Sequence, residues 1–218
     1  MRFVDPDGMG VNDVIITGDK AKMAFKQLQA STNYKLTRDK STGKVTAGEL
    51  KKGTTATRAD TKLREATRDA NVTVNVNTTD SNYLPSGDWF VGGAYGGSVQ
   101  NTDGTVTATQ TVNPEMTGKL DKFYGMQNGV TMLHEVIESF IGAEDSPGVG
   151  APTFDNTTPE FEAYYNAHTE ADVVDPRHVN PVISEDCDTC PKYMNKTKTV
   201  VPGFPGVNVE KVINNMNR

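Results

Sequence analysis

The chain is poor in the residues that most often announce a function: 218 residues contain two cysteines, one tryptophan and three histidines. Two cysteines cannot staple a disulfide-dense scaffold, and a chain of this length buries enough surface to fold around an ordinary core. A basic excess is lacking as well. The formal charge is −6, which disfavours a general nucleic-acid binder, and a nuclease with it. The only basic concentration, Lys35 to Arg68, is interleaved with Asp and Glu and reads as a solvated surface. No stretch approaches the roughly 18 consecutive apolar residues that a membrane span requires. The N-terminus has no basic region followed by an apolar segment, so export would depend on a longer parent protein. Hydrophobic residues make up 35% of the chain, and the abundance of Gly, Thr, Asn and Asp points to many turns. Neither an internal repeat nor a low-complexity linker divides it, so residues 11–218 read as one domain.

Scarce histidines make their positions informative. His134 opens His134-Glu135-Val136-Ile137-Glu138 inside an apolar helical pattern in which Val130, Leu133, Ile137 and Phe140 form the stripe. His134 and Glu138 are one helical turn apart, project from one face, and can share a metal ion. Glu135 occupies the place where the pattern H-E-x-x-H carries the carboxylate that takes a proton from metal-held water. A glutamate stands where the second histidine usually does; its oxygen also binds zinc, at the expense of the motif's specificity. A charged stripe on an amphipathic helix accounts for the same residues equally well. The next histidine favours the metal. His168 lies in a second predicted helix that starts with Thr158 as N-cap, Pro159 at the first position, and Glu160 and Glu162 against the positive end of the dipole. Two ligands from one helix and a third from a later segment is a common zinc arrangement, so His134, Glu138 and His168 are the expected ligand set. Glu170 and Asp172 are alternative third ligands, or carboxylates that orient a ligand imidazole. A donor for the developing oxyanion is needed besides the metal. His178 ranks first, ahead of Tyr164 and Tyr165, although it equally reads as a loop histidine before the Asn180-Pro181 turn.

Along the chain, Asp19 to Ser31 reads as a short helix, Tyr34 to Thr55 as turn-linked short strands, and Ala56 to Ala70 as another helix. Asn71 to Thr79 alternates strictly, with Val72, Val74 and Val76 facing inward. A glycine-interrupted strand region from Trp89 to Val99 and an alternating strand from Thr105 to Val112 follow, separated by a turn at Asn101 to Gly104. Together they predict a small, mostly antiparallel sheet whose edge could receive an extended peptide. The motif helix is expected from near Met126 to Ile141, with Gly142 as its C-terminal cap and its polar residues at a cleft rim. The fold class is therefore α+β, with the catalytic part at about 71–180. An irregular segment follows over 181–218, with a short possible helix at Val209 to Asn215. Cys187-Asp188-Thr189-Cys190 sits in an acidic, loop-like context that suits a small disulfide loop better than redox catalysis, and it lacks the further ligands of a structural zinc site.

Two stretches resemble a known family. Arg2-Phe3-Val4-Asp5-Pro6-Asp7-Gly8-Met9 resembles the D-P-x-G motif that closes the core of Rhs-repeat polymorphic toxins, after which a variable toxin domain begins. His134-Glu135-Val136-Ile137-Glu138-Ser139-Phe140 with Tyr165-Asn166-Ala167-His168 resembles the paired motifs of their zincin-like metallopeptidase tips. The resemblance covers residues 1–10 and about 131–172. It implies a zincin-like fold, a Zn2+ cofactor, and a peptidase acting on a protein or peptide substrate. It also implies secretion or delivery into a target cell as part of a larger bacterial protein, and a cognate immunity protein. Two other classes remain open: a non-enzymatic binding or adhesion module, and a delivered toxin of different chemistry such as a nuclease.

Overall fold

The computed structural model describes residues 13–153 and 155–180, and the backbone of residues 200–201 and 204–205. The leader at Asp5 to Gly8, the cysteine pair Cys187 and Cys190, and the possible helix at Val209 to Asn215 lie outside the described residues.

Alternation builds the sheet. Val72-Thr-Val-Asn-Val-Asn-Thr78 (β4) and Val106-Thr-Ala-Thr-Gln-Thr-Val112 (β6) each bury every second side chain. Four further strands complete the sheet: Val14–Gly18 (β1), Tyr34–Arg38 (β2), Lys44–Leu50 (β3) and Gly93–Gln100 (β5). Their spatial order is β2-β3-β1-β4-β6-β5. The hairpins β2–β3 and β5–β6 lie at the two edges, and β3–β1 is also antiparallel, whereas β1–β4 and β4–β6 are parallel. The sheet is thus larger than the small sheet expected, and parallel at its centre. The parallel β4–β6 pairing has a simple cause: the chain leaves β4, crosses to the outer edge, runs β5 there and returns by the hairpin, so β6 points the same way as β4. The β5–β6 register shifts between Tyr95 and Ser98, where Gly97 takes φ 79°, a bulge that bends the edge strand. At the far end of the chain, Val200–Val201 and Phe204–Pro205 (β7 and β8) form a separate antiparallel pair.

Helices Ala21–Ser31 (α1), Arg58–Ala66 (α2), Pro114–Phe123 (α3), Val130–Asp145 (α4) and Pro159–Val174 (α5) complete the described residues. Helix α4 is the centre of the molecule. It packs on β4, β5 and β6 and is flanked by α1, α2, α3 and α5, so that every residue from Val130 to Ala143 is buried. The sequence reading of an amphipathic helix at a cleft rim is corrected by this: His134 and Glu138 are covered by α5, and Glu135 is turned to β5 and β6. The helix also starts later and ends later than expected. Gly129, at φ 89°, turns the chain into it, and the Asp121 carboxylate of α3 accepts from Gly129 N (2.5 Å), Thr131 N (3.0 Å) and Thr131 Oγ1 (2.7 Å). A carboxylate borrowed from the preceding helix thereby satisfies the free N–H groups and opposes the positive dipole end. At the other end Gly142 does not terminate the helix. A side chain there would lie 2.6 Å from the Tyr95 hydroxyl, so this glycine is where the helix admits a ring from β5.

Candidate active site

Helix α5 forms for the reasons its sequence suggests. Pro159 occupies the first turn, Thr158 Oγ1 accepts from Phe161 N (3.2 Å), and Glu160 and Glu162 lie in the first turn. Small residues line its buried face: Ala163, Ala167 and Ala171 let α5 lie close against α4. That close approach brings His168 onto the polar face of α4.

Three donor atoms converge there. His134 Nε2 lies 3.1 Å from His168 Nδ1 and 3.4 Å from Glu138 Oε2, and His168 Nδ1 is 2.5 Å from the same oxygen. Tetrahedral zinc with ligands at about 2.0–2.1 Å has donor–donor edges of about 3.3 Å. Two of the three edges are close to that figure. The third is contracted, as expected where a proton joins Glu138 to His168. The expected ligand set, His134, Glu138 and His168, is therefore brought together, and two neutral-capable imidazoles with one carboxylate suit zinc. Glu170 is exposed and has no part in this triangle. Asp172 does reach the cluster. One ligand atom each from His134, His168 and Asp172 fall within 4.8 Å of one another, a second way a cation could be held. Asp172, however, lies off the opposite nitrogen of His134, 3.3 Å from Nδ1, which forms no hydrogen bond.

Burial sets the protonation states. It lowers His134 to about 4, so this ring is neutral and ligand-competent at pH 7. Burial opposes a charge on His168 too, but the hydrogen bond to Glu138 and the charges of Glu138, Asp172 and Glu135 outweigh it and raise His168 to about 9. Burial would raise Glu138, but its bonds to His134 and His168 bring it below the usual range. Without a metal the cluster thus holds one proton on His168 where a cation would otherwise balance the carboxylates.

Glu135 points into the sheet. Gln110 of β6 donates through Nε2 to Glu135 Oε2, and Ser139 Oγ donates to Gln110 Oε1 (2.6 Å), which fixes the orientation of the amide. On the other flank the Glu135 carboxylate lies against Gly93 of β5, where a methyl group would overlap it. Burial, with the Glu138 charge second, pushes Glu135 well above the ordinary carboxyl range; His168 and the Gln110 bond pull the other way.

His178 and the two tyrosines fall differently. His178 stacks on the His134 ring, with centroids 3.7 Å apart and planes at 18°, and its Nδ1 donates to Asp172 Oδ1 (2.9 Å). Tyr164 has its ring centroid 5.5 Å from that of His168; burial and the charges of Glu138, Glu135 and Asp172 raise its phenol, which stays protonated. Tyr165 is 57% exposed and stacks on Phe161 instead. Gln110, Ser139 and Gly93 were not singled out from the sequence. The one signal was a glutamine at an inward position of an otherwise apolar alternation in β6.

No protein-family model, curated protein or solved structure matches this chain. Among the described residues no helix is long and apolar enough to cross a membrane.

Proposed function

We propose that the protein is a zinc-dependent peptidase with His134, Glu138 and His168 as metal ligands and Glu135 as general base. The observation that carries this reading is the meeting of two imidazole nitrogens and a carboxylate oxygen from two helices, with a second carboxylate next in sequence to the first ligand. Bound zinc would polarise a peptide carbonyl and make water acidic near neutral pH. The chain's own groups would do the rest. Glu135, its basicity raised by burial, would accept the proton of the attacking water and pass it to the leaving amine. Gln110 and Gly93 would hold its carboxylate in one orientation. The protonated Tyr164 phenol is the better oxyanion donor in this arrangement, because the His178 ring face and Nδ1 are engaged by His134 and Asp172.

The zincin-like designation, the delivery from an Rhs-type parent and the pairing with an immunity protein belong to the same proposal and rest on the resemblance of residues 1–10 and 131–172. A peptidase released into a target cell would require a partner that neutralises it in the producer.

Elemental analysis of the wild type, His134→Ala and His168→Ala tests the metal assignment, with labelled casein as the activity probe. One zinc per chain in the wild type, lost in both variants, supports it. Glu135→Gln should keep zinc and lose casein cleavage by at least about 100-fold. A wild type that binds no zinc from excess ion would leave a buried polar cluster without catalysis.

A further inference from the structure

The outer edges of the two ligand rings are held by the segment that follows His168. Asp172 Oδ1 lies 3.3 Å from His134 Nδ1 and accepts from His178 Nδ1. Asp172 Oδ2 lies 3.9 Å from His168 Nε2 and accepts from Asn180 Nδ2 (2.5 Å). Asn180 Oδ1 in turn accepts from His168 Nε2 (2.7 Å). The turn that carries His178 and Asn180, just after α5, is pinned from behind by Arg177. Its guanidinium makes two 2.7 Å bonds to the Asp175 carboxylate, and Nη1 donates to Ser31 O at the end of α1 (3.0 Å) and to Gln127 Oε1 (3.1 Å). His178 is then carried onto the face of His134.

We infer that Asp172 and His178 are positioning residues that fix the orientation of the ligand imidazoles, with Arg177 as the anchor of the turn that carries His178. This rests on the zinc reading above. The two nitrogens of an imidazole point in divergent directions, so an ion held by His134 Nε2 is out of reach of a carboxylate lying off Nδ1. His134 Nδ1 is buried without a hydrogen-bond partner, and a small rotation would let Asp172 Oδ1, 3.3 Å away, accept its N–H, which selects the tautomer whose Nε2 lone pair faces Glu138 and His168 and increases the basicity of that lone pair. His178 contributes in two ways. It donates to Asp172, which orients that carboxylate, and its ring covers one face of His134, so the ligand cannot swing. Asp172 lies off the outer nitrogen of His134 directly and reaches that of His168 through Asn180, so one carboxylate bears on the pose of both ligand rings.

The test uses the full chain and the metals alone: zinc affinity by competition with a chromogenic chelator, and the cobalt(II) absorption spectrum at saturation. Asp172→Asn and His178→Ala should bind zinc about 10- to 100-fold more weakly, with an unchanged cobalt band shape because the donor atoms are unchanged. Arg177→Ala should weaken zinc in the same direction without contacting the site. His178→Phe, which keeps a stacked ring and loses the Nδ1 donor, should fall between wild type and His178→Ala. An altered cobalt spectrum or lost stoichiometry in Asp172→Asn would make Asp172 a ligand and overturn the inference. So would wild-type zinc affinity in His178→Ala, which with a fall in casein turnover would return His178 to oxyanion donation. A wild type that binds neither zinc nor cobalt sinks the peptidase reading itself, a result distinct from any variant effect.

Discussion

Glu135 is held by contacts on both flanks, and each contact can be removed separately. Gly93→Ala places a methyl group into the carboxylate, so Glu135 must rotate or β5 must shift. The expected cost is about 1–3 kcal/mol of stability, with casein cleavage lost more steeply than stability, compared by urea unfolding and initial rates. Gln110→Leu removes the donor from Glu135 and leaves Ser139 without its acceptor inside the core. It should destabilise by about 1–3 kcal/mol, whereas adding Ser139→Ala should cost little more, a non-additivity that a double-mutant cycle in urea would detect. The histidines make a further prediction. His168 carries a proton below about pH 9 while the cluster is metal-free, so zinc binding at pH 7.5 must displace it. Calorimetric titration in buffers of different ionisation heat should report about one proton released per zinc at pH 7.5, declining towards none as the pH passes 9. The same shift acts on the metal-free fold. His168 is raised above its ordinary value of 6.5, so the stability it contributes is fully present below pH 6.5 and lost as pH rises through about 9.

At the scale of elements, two carboxylates join neighbouring segments, and both are testable. Asp121 caps α4 from α3, so Asp121→Ala should destabilise by about 1–3 kcal/mol and leave fraying at residues 129–131 visible as faster amide exchange. Asp60 closes a capping box with Thr57 at the start of α2 and also accepts from Thr32 Oγ1 (2.6 Å) and Asn33 N (2.8 Å), tying α2 to the end of α1. Burial works against its charge, but these bonds prevail and lower its pKa below 3.8. Its contribution is therefore present above about pH 4 and lost as acid protonates it, and Asp60→Asn should flatten the acid limb of a stability–pH curve. Such ties were not visible in the sequence, because a capping residue from another segment has no fixed spacing. Local patterns were visible. The Val72-Val74-Val76 alternation, the helix start at Thr158-Pro159 and the α1 segment appear close to where their residues indicate. Strand β1 went unread because five residues, Val14–Gly18, carry too little pattern, and α3 because Gly118 weakens its helical signal. The meeting of His134, Glu138 and His168 could be read from one-turn spacing and scarce histidines. The Gln110–Glu135 bond joins residues brought together only by packing α4 on β6.

At the scale of the whole molecule, the helices cover one face of the sheet. The other carries Thr73, Asn75, Thr107, Thr109 and Thr111, polar side chains that are only partly covered. The apolar core does not depend on a metal: Val14, Val74, Leu63, Leu133, Ile137 and Phe140 are buried together irrespective of the ligand cluster. A chelator-treated sample should therefore still unfold cooperatively, at a lower midpoint than the zinc-loaded one, and the gap should widen with free zinc concentration. A chain that lost all cooperativity on chelation would instead place its stability in the metal. The burial of α4 has a further consequence for assembly. Glu138 faces α5 and Glu135 faces the sheet, so in a chain whose α5 has not docked Glu135 would be enclosed with no cation near it and Glu138 would stand open to water. The docking of α5 brings His168 and its proton to them. Closing of the last helix is then a neutralisation step, and a chain caught before it, whether on the ribosome or in a refolding experiment, should favour acid conditions that protonate Glu135.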